Sequence, residues 1–594
     1  MIAQGDGVLH SSGMRYRVSM PDPHSHLFEV EAVLADPGPA PVLAMPVWTP
    51  GSYLVREFAR HLERIEADDG EGRKLPVVRL DKHRFRVEAS GASQVRVRYR
   101  VYSNELTVRT AHLDRTHGFW NGANLFLYAE GRVDEPVELE VVPPPGWRVA
   151  TAMDGGPLRF TARDYHELCD SPVEVGTHSL ATFEALGKRH EVAIAGRGQV
   201  DVGRFAADLE RIVEHLGALM GGLPYDRYLF IVHLTDRRRG GLEHERSTTL
   251  AVSRNAFFPK ESYEDTLALA AHEFLHLWNV KGLRPAAFQP YDYAREQYTR
   301  LLWWFEGVTS YYDRLTLVRA GLADPKGWLR HLGEEWTALA RQPGAGKMSL
   351  EEASLTAWVK YYRPDENSPN SAISYYQKGE LVALALDLAL RQAGGSLDDL
   401  LRALHARYAS TGLPEDGVEG GAAQVLGEPA AREFFDRLVR GTGPVEAALD
   451  TVGLRIVRRI AQSLDDKGGT PPRKNGDEGA AGWLGAEIPP GARLSVRVVR
   501  EGGPAARAGL YAEDEIMAES GFRVDRAGLW DRMRQVGPGG LLRLTVFRKD
   551  ELVEVPVTLG DPPEEVAWIE AVPDATPVQK SAFRAWTGAA FPER

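Results

Sequence analysis

A chain of 594 residues is long enough for three or four domains, each able to bury a core of its own. Its 71 basic and 83 acidic residues leave a net charge of −12, and no basic stripe with interleaved aromatics argues for nucleic acid as a partner. No run approaches the roughly eighteen apolar residues of a membrane span, and the amino terminus lacks the apolar core of a signal peptide, so a cytoplasmic protein is expected. The single cysteine, Cys169, excludes an intrachain disulfide and leaves nitrogen and oxygen as the donors for any metal.

Residues 14 to about 175 alternate apolar and polar in short pieces, as in MRYRVSM, HLFEVEAVLA and QVRVRYRVYS, separated by Pro and Gly clusters such as DPGPAP and VPPPGW. That pattern predicts an all-β sandwich over residues 1–175. Further strand-like segments lead to YLFIVHL, a fully apolar run, and then to the glycine-rich turn and strand GGLEHERS, residues 240–247. From Asp265 to about residue 450 helical periodicity dominates, so residues 176–460 form a mixed lobe followed by a helical one. Glu243, after Gly241 and before His244, stands where a carboxylate at the mouth of a peptide groove can pair with a free α-amine. A peptide added as an extra strand beside YLFIVHL would present its first carbonyl there.

The helical part begins with TLALAAHEFLHLWN, in which His272, Glu273 and His276 are the only groups that ionise near neutral pH. Histidines four apart share a helical face and can hold one metal ion, and the intervening glutamate can take a proton from an attacking water. A chance H-E-x-x-H arises in roughly a few per cent of chains this long, but charged groups in an apolar helix need a partner or a metal. Two core histidines satisfied by hydrogen bonds are the bland alternative. Catalytic zinc takes a third protein ligand, and WWFEGVTSYYD offers Glu306 in a segment, Glu296 to Gly321, with helical spacing. Gly282, Pro285 and Pro290 let the chain turn back between the two helices. SYYQKGELVALAL places Tyr375 and Tyr376 just before another helix, where a phenol can donate to an oxyanion.

The order GGLEH, HEFLHLWNVKGLRP, WFEGVTSYYD, YYQKG resembles the glycyl aminopeptidase family of zinc metallopeptidases, which are gluzincins with a C-terminal PDZ domain. PVWTPGSYLVREFARH is similar to that family's N-terminal β domain, and ATPVQKSAFRAW to its tail. The resemblance implies a multidomain α+β protein with an N-terminal β-sandwich, a thermolysin-like catalytic domain and a PDZ domain. It implies one zinc ion on His272, His276 and Glu306, with Glu273 as general base. Glu243 would bind the substrate's amino terminus, Gly241 and His244 would contact the substrate beside it, and Tyr376 would stabilise the oxyanion. Substrates would be peptides with a free amino terminus and a small first residue, Gly or Ala. In thermolysin-type relatives an Asp four residues after the third ligand orients a histidine; that position is Ser310 here, and Asp313 on nearly the same face is the substitute.

SLDDKGGTPPRKNGDEGAAG, residues 463–482, is rich in Gly, Pro and charge, so residues 461–479 are expected to be a flexible linker. Beyond it GWLGAEI and GGPAARAGLYAEDEIMAESG resemble a PDZ domain over residues 480–562, with a tail at 563–594. In that fold the loop Trp483, Leu484, Gly485, Ala486 would offer N–H groups to a C-terminal carboxylate of a peptide partner. An endopeptidase recruiting chains through the PDZ domain, and a non-catalytic PDZ scaffold, are the rival readings; an epoxide hydrolase is a remote third. N-acetylated peptides separate the first from an aminopeptidase.

Overall fold

The structure, a computed structural model, describes residues 13–472 and 480–592. The chain divides into two compact units: one runs to Tyr298 and takes in Tyr408–Gly412, the other comprises Thr299–Arg407 and everything from Leu413 onward.

In the first unit the alternating segments become an eight-stranded sheet. Its strands run Asp154–Gly155, Arg159–Ala162, Val137–Val142, Met14–Ser19, Leu27–Ala35, Gln94–Tyr102, Leu62–Asp68 and Lys74–Leu75 in spatial order. The period-two pattern is obeyed: Tyr16, Val18, Phe28, Val30, Val97 and Tyr99 point into one core while the intervening Arg and Glu face outward. Two four-stranded sheets close the β-rich part; one of them carries Arg148–Thr151, Val173–Gly176, His117–Trp120 and His112–Leu113.

A five-stranded sheet follows, ordered Ser179–Ala185, Lys188–Ala195, Arg227–Thr235, Ser247–Ser253, Gly240–Glu243. Arg227–Thr235 pairs in parallel on both sides, and from Tyr228 on it is buried throughout, as its uninterrupted apolar run requires. Gly240–Glu243 is the antiparallel edge strand. Two helices pack on this sheet: the strongly amphipathic Val202–Met220, capped by Asp201, and Lys260–Leu275, which carries the first two residues of the H-E-x-x-H motif.

The second unit is mostly helical. A π-helical turn, Trp303–Val308, leads into Thr309–Arg319, followed by Pro325–Ala340, Tyr375–Gln392, Leu397–Tyr408, Gly417–Leu426 and Glu428–Leu438. The helical reading of Glu296 to Gly321 therefore begins six residues too early, since helix starts only at Leu302. Strand Leu454–Arg459 then pairs antiparallel with Val566–Ala571. A module with its own core of Leu484, Val496, Ile516, Leu542, Leu544 and neighbours lies in the sequence between them. It holds a four-stranded sheet ordered Phe522–Arg523, Glu515–Glu519, Leu541–Arg548, Glu551–Thr558, and two helices, Pro504–Ala508 and Arg526–Val536.

The segment expected as a flexible linker is in part pinned to its surroundings. Residues 461–472 are not a free tether: Asp466 accepts from Arg459 Nη1 at 2.5 Å and from the backbone of Gln462 and Gly468, and Gly469 N–H donates to Ala567 at 2.7 Å. Polar and glycine content predicts mobility only where those groups find no partners; the remaining linker residues, 473–479, lie outside the described residues. The expected tail is a structural member of the unit. Its helix Pro577–Thr587 buries Phe583 and Trp586, and Trp586 Nε1 donates to Tyr311 Oη at 2.7 Å.

Candidate active site

Helix Lys260–Leu275 ends at the motif it carries. His272 and Glu273 lie in its last turn, and His276 is its C-cap with φ −58° and ψ −18°. The expected helix through Asn279 thus stops earlier, and the chain turns through Val280, a buried β-branched residue at φ 145°. The spacing still brings the imidazoles together, with ring centroids 4.7 Å apart and planes at 85°.

His276 Nδ1 lies 2.8 Å from the carbonyl oxygen of Asn279. A carbonyl only accepts, so Nδ1 carries the hydrogen and Nε2 carries the lone pair, the tautomer a metal ligand requires. This backbone partner, created by the turn after the helix, has no signature in the sequence. Two buried imidazoles one turn apart, one of them oriented this way, fit a nitrogen-binding divalent metal.

Edge strand Gly240–Glu243 supplies the second half of the first unit's site. Donor atoms of Glu243, Glu273 and His276 lie within 4.8 Å of one another, all three side chains buried. Glycine is required at two of the contacts. A Cβ on Gly241 would overlap the Glu273 carboxylate, and one on Gly51, at φ +85°, would stand 2.6 Å from Glu243 Oε1. The two motifs that read as a turn and a β-domain signature, GGLEH and TPGSY, thus both make room for a carboxylate.

Beneath this patch lies an ion pair that sequence reasoning missed. Lys281 Nζ is 2.5 Å from Asp170 Oδ1, His244 Nδ1 is 3.3 Å from the same oxygen, and Glu245 N–H donates to Asp170 Oδ2 at 2.7 Å. Burial alone would raise the Asp170 pKa, but the Lys281 ammonium and His244 hold it well below the carboxylate range; burial pulls Lys281 down, and Asp170 more than reverses that. His244 is thus tied to Asp170 as well as neighbouring Glu243. Arg109 adds a further support, donating from Nη2 to the Gly241 carbonyl at 3.1 Å.

In the second unit Glu306 sits buried within the π-helical turn. Such a turn holds one residue more than an α-turn and is a frequent device at functional sites. It packs on helix Tyr375–Gln392 so closely that a Cβ on Gly307 would come 2.5 Å from Gly379 Cα, which accounts for the glycines in WFEG and YYQKG together. Tyr375 is fully buried whereas Tyr376 is half-buried. Burial, with the Glu306 carboxylate nearby, raises the Tyr376 pKa well above the ordinary phenol value, so it stays a hydrogen-bond donor. Lys378 is buried, its Nζ has no hydrogen-bond partner among the described residues, and desolvation lowers its pKa to about 8. Asp313 lies in the electrostatic neighbourhood of Glu380, itself 3.1 Å from His331.

In the inserted module, Trp483 N–H donates to the Gly560 carbonyl at 2.8 Å. Its N–H is thus engaged within the module. Among the described residues no helix is long and apolar enough to cross a membrane.

The model of the Peptidase M61 N-terminal domain matches residues 15–177, and that of M61 glycyl aminopeptidase matches residues 265–382. No curated protein matches. Among solved structures, the aminopeptidase N family protein from Idiomarina loihiensis is 32% identical, with 97% of this chain and 100% of that one covered and a TM-score of 0.90. An M1 zinc metallopeptidase from Deinococcus radiodurans is 14% identical, covering 74% of this chain and 96% of that one, TM-score 0.47. Native yeast LTA4 hydrolase is 14% identical over 74% and 70% of the two chains, TM-score 0.46. On the two family matches and the full-length 32% relative, the chain belongs to the M61 glycyl aminopeptidase family and is an aminopeptidase.

Proposed function

We propose that the protein is a zinc aminopeptidase that removes small amino-terminal residues, Gly or Ala, from peptides. The observation that carries the reading is the buried grouping of Glu243, Glu273 and His276, which sets an amine-binding acid beside a proton-moving one. His272, His276 and Glu306 would hold one zinc ion. When bound, that ion supplies a Lewis acid that makes water a nucleophile at neutral pH and polarises the scissile carbonyl.

Glu243 binds the substrate's α-ammonium, which sets the cut after the first residue and leaves no room for a longer amino-terminal extension. Gly241 lets the substrate backbone lie along the edge strand, and His244, held by Asp170, fixes the end of that strand. Glu273 takes the proton of the attacking water and passes it to the departing amine, one carboxylate serving as base and then acid. Tyr376 donates its O–H to the oxyanion. Asp313 would orient one of the zinc-binding histidines.

Residues 480–562 would act as a PDZ domain that receives a C-terminal carboxylate at Leu484–Ala486. Support comes from the module's small sheet with two helices and from Gly485, held at φ +73°. Binding there would recruit chains for the peptidase.

The test is release of p-nitroaniline from glycyl and alanyl p-nitroanilide, beside their N-acetyl forms and an o-phenanthroline control. Chelator-sensitive cleavage of only the free-amine substrates is the expected result. Equal cleavage of the acetylated forms would remove Glu243 from its role and favour an endopeptidase.

A further inference from the structure

A second histidine-rich cluster lies in the β-rich part of the first unit. Strands His112–Leu113 and His117–Trp120 form a hairpin whose turn is tied by Asp114: its Oδ1 accepts from Thr116 N at 2.7 Å, Thr116 Oγ1 at 2.6 Å and His117 N at 3.1 Å. With Oδ1 so occupied, Oδ2 stands 3.3 Å from His112 Nε2. Behind the hairpin, His117 Nδ1 is 3.0 Å from Glu174 Oε1, and His233 Nε2 is 2.9 Å from Glu174 Oε2. Glu174 is wholly buried. Its carboxylate lies between the two imidazoles and accepts from His117 Nδ1 and His233 Nε2. His117 therefore carries its hydrogen on Nδ1 and its lone pair on Nε2. A carboxylate behind an imidazole is the arrangement that orients metal-binding histidines.

Donor atoms of His112, Asp114 and His117 all lie within 4.8 Å of one another. Around a tetrahedral zinc ion with bonds of about 2.0–2.1 Å, ligand atoms sit about 3.3 Å apart, so a small closure completes such a set. Two buried imidazole nitrogens of the cluster, His112 Nδ1 and His233 Nδ1, have no hydrogen-bond partner among the described residues. Hydrogen bonding alone thus leaves the cluster unsatisfied.

We propose that His112, Asp114 and His117 form a second metal site, distinct from the peptidase motif, for a divalent transition ion of the zinc class, with Glu174 and His233 as its buried supports. Two imidazoles and a carboxylate suit zinc rather than calcium or magnesium, which prefer all-oxygen sets. The ion clamps a hairpin whose flanking residues reach the peptidase edge strand. Arg109, three positions upstream, donates to the Gly241 carbonyl, Val108 packs with Leu242, and Asn121 Nδ2 holds the Val108 carbonyl at 3.0 Å. Loss of the ion is therefore expected to raise KM more than it lowers kcat.

Elemental analysis of the full-length protein counts the two sites separately. The expected zinc content is two equivalents for the wild type, one for H272A/H276A and one for H112Q/H117Q, the last retaining chelator-sensitive hydrolysis. Unchanged metal in a folded H112Q/H117Q protein would overturn the proposal, whereas unchanged metal in H272A/H276A would instead overturn the peptidase ligand assignment. A measurement independent of how H112Q/H117Q folds is cobalt substitution in H272A/H276A. A visible band of tetrahedral cobalt, lost in H272A/H276A/D114N, is expected, and absence of that band in H272A/H276A refutes the site.

Discussion

Lys281→Met breaks the ion pair beneath the candidate site and leaves Asp170 with its charge. Both partners are largely out of water: the Lys281 side chain is 3% exposed and Asp170 17%. Removing one member of a buried pair costs about 3–5 kcal/mol, because the other is stranded. Asp170 keeps the Glu245 N–H and His244, so the lower figure, about 3 kcal/mol, is expected. Asp170→Asn with Lys281→Met removes both charges and should recover at least half of that loss. The assay is urea unfolding of the four proteins of the cycle, followed in the transition of the first unit. Its pH dependence follows from the shifts. Asp170 has a depressed folded pKa, so its contribution is present above the unfolded value of about 3.9 and is lost as pH falls through the folded one. Lys281 has a raised folded pKa, so its contribution is present below the unfolded value of about 10.4 and is lost as pH rises through the folded one. The gap between wild type and K281M should be flat from about pH 5 to 9 and narrow on both sides. A K281M cost below about 1 kcal/mol, or a double variant less stable than K281M, would refute the buried-pair argument.

Glu273→Gln should cut kcat by about 10²–10⁴ while zinc content stays at the wild-type level, read by steady-state kinetics beside elemental analysis. Full activity would remove it as the base. Tyr376→Phe should lower kcat about 10²-fold with KM nearly unchanged, the mark of a contact made in the transition state; a change confined to KM would assign it to substrate binding. Lys378→Met should stabilise the protein at pH 7, because a buried lysine whose folded pKa is about 8 favours unfolding below its unfolded value of about 10.4. That gain should fade as pH rises from about 8 toward 10.4, and a destabilised K378M at pH 7 would show that Lys378 has a partner. Deleting residues 480–594 should give insoluble protein, since it strips Trp586 from Tyr311 and Val566–Ala571 from its partner strand. Excising 482–560 alone, with a short glycine bridge, should leave dipeptide-sized hydrolysis intact.

The legible parts of the chain are those where periodicity and chemistry are local. Alternation in MRYRVS and LFEVEAVLA, the apolar run YLFIVHL and the four-residue histidine spacing each dictate an element within one stretch of sequence, and each element is there. Asp170 and Glu174 were illegible because what makes them matter is the partner, more than fifty residues away for Glu174 with His117 and more than a hundred for Asp170 with Lys281. In HLDRTH two histidines flank an Asx turn, but what they can do depends on a glutamate from another strand. The same reasoning applies to the expected linker. Composition told correctly that residues 463–472 hold almost no apolar side chains, Leu464 apart, yet order there comes from backbone N–H groups and one carboxylate, Asp466, that Arg459 seeks out. Trp483 and Gly560 pair backbone to backbone where the inserted module opens and closes, so its ends lie side by side. A segment whose ends meet can be inserted without disturbing the pairing of Leu454–Arg459 with Val566–Ala571, and the residues after it remain part of the fold they left. Deletions at this end of the chain should therefore follow the strand pairing, not the order of residues along the sequence.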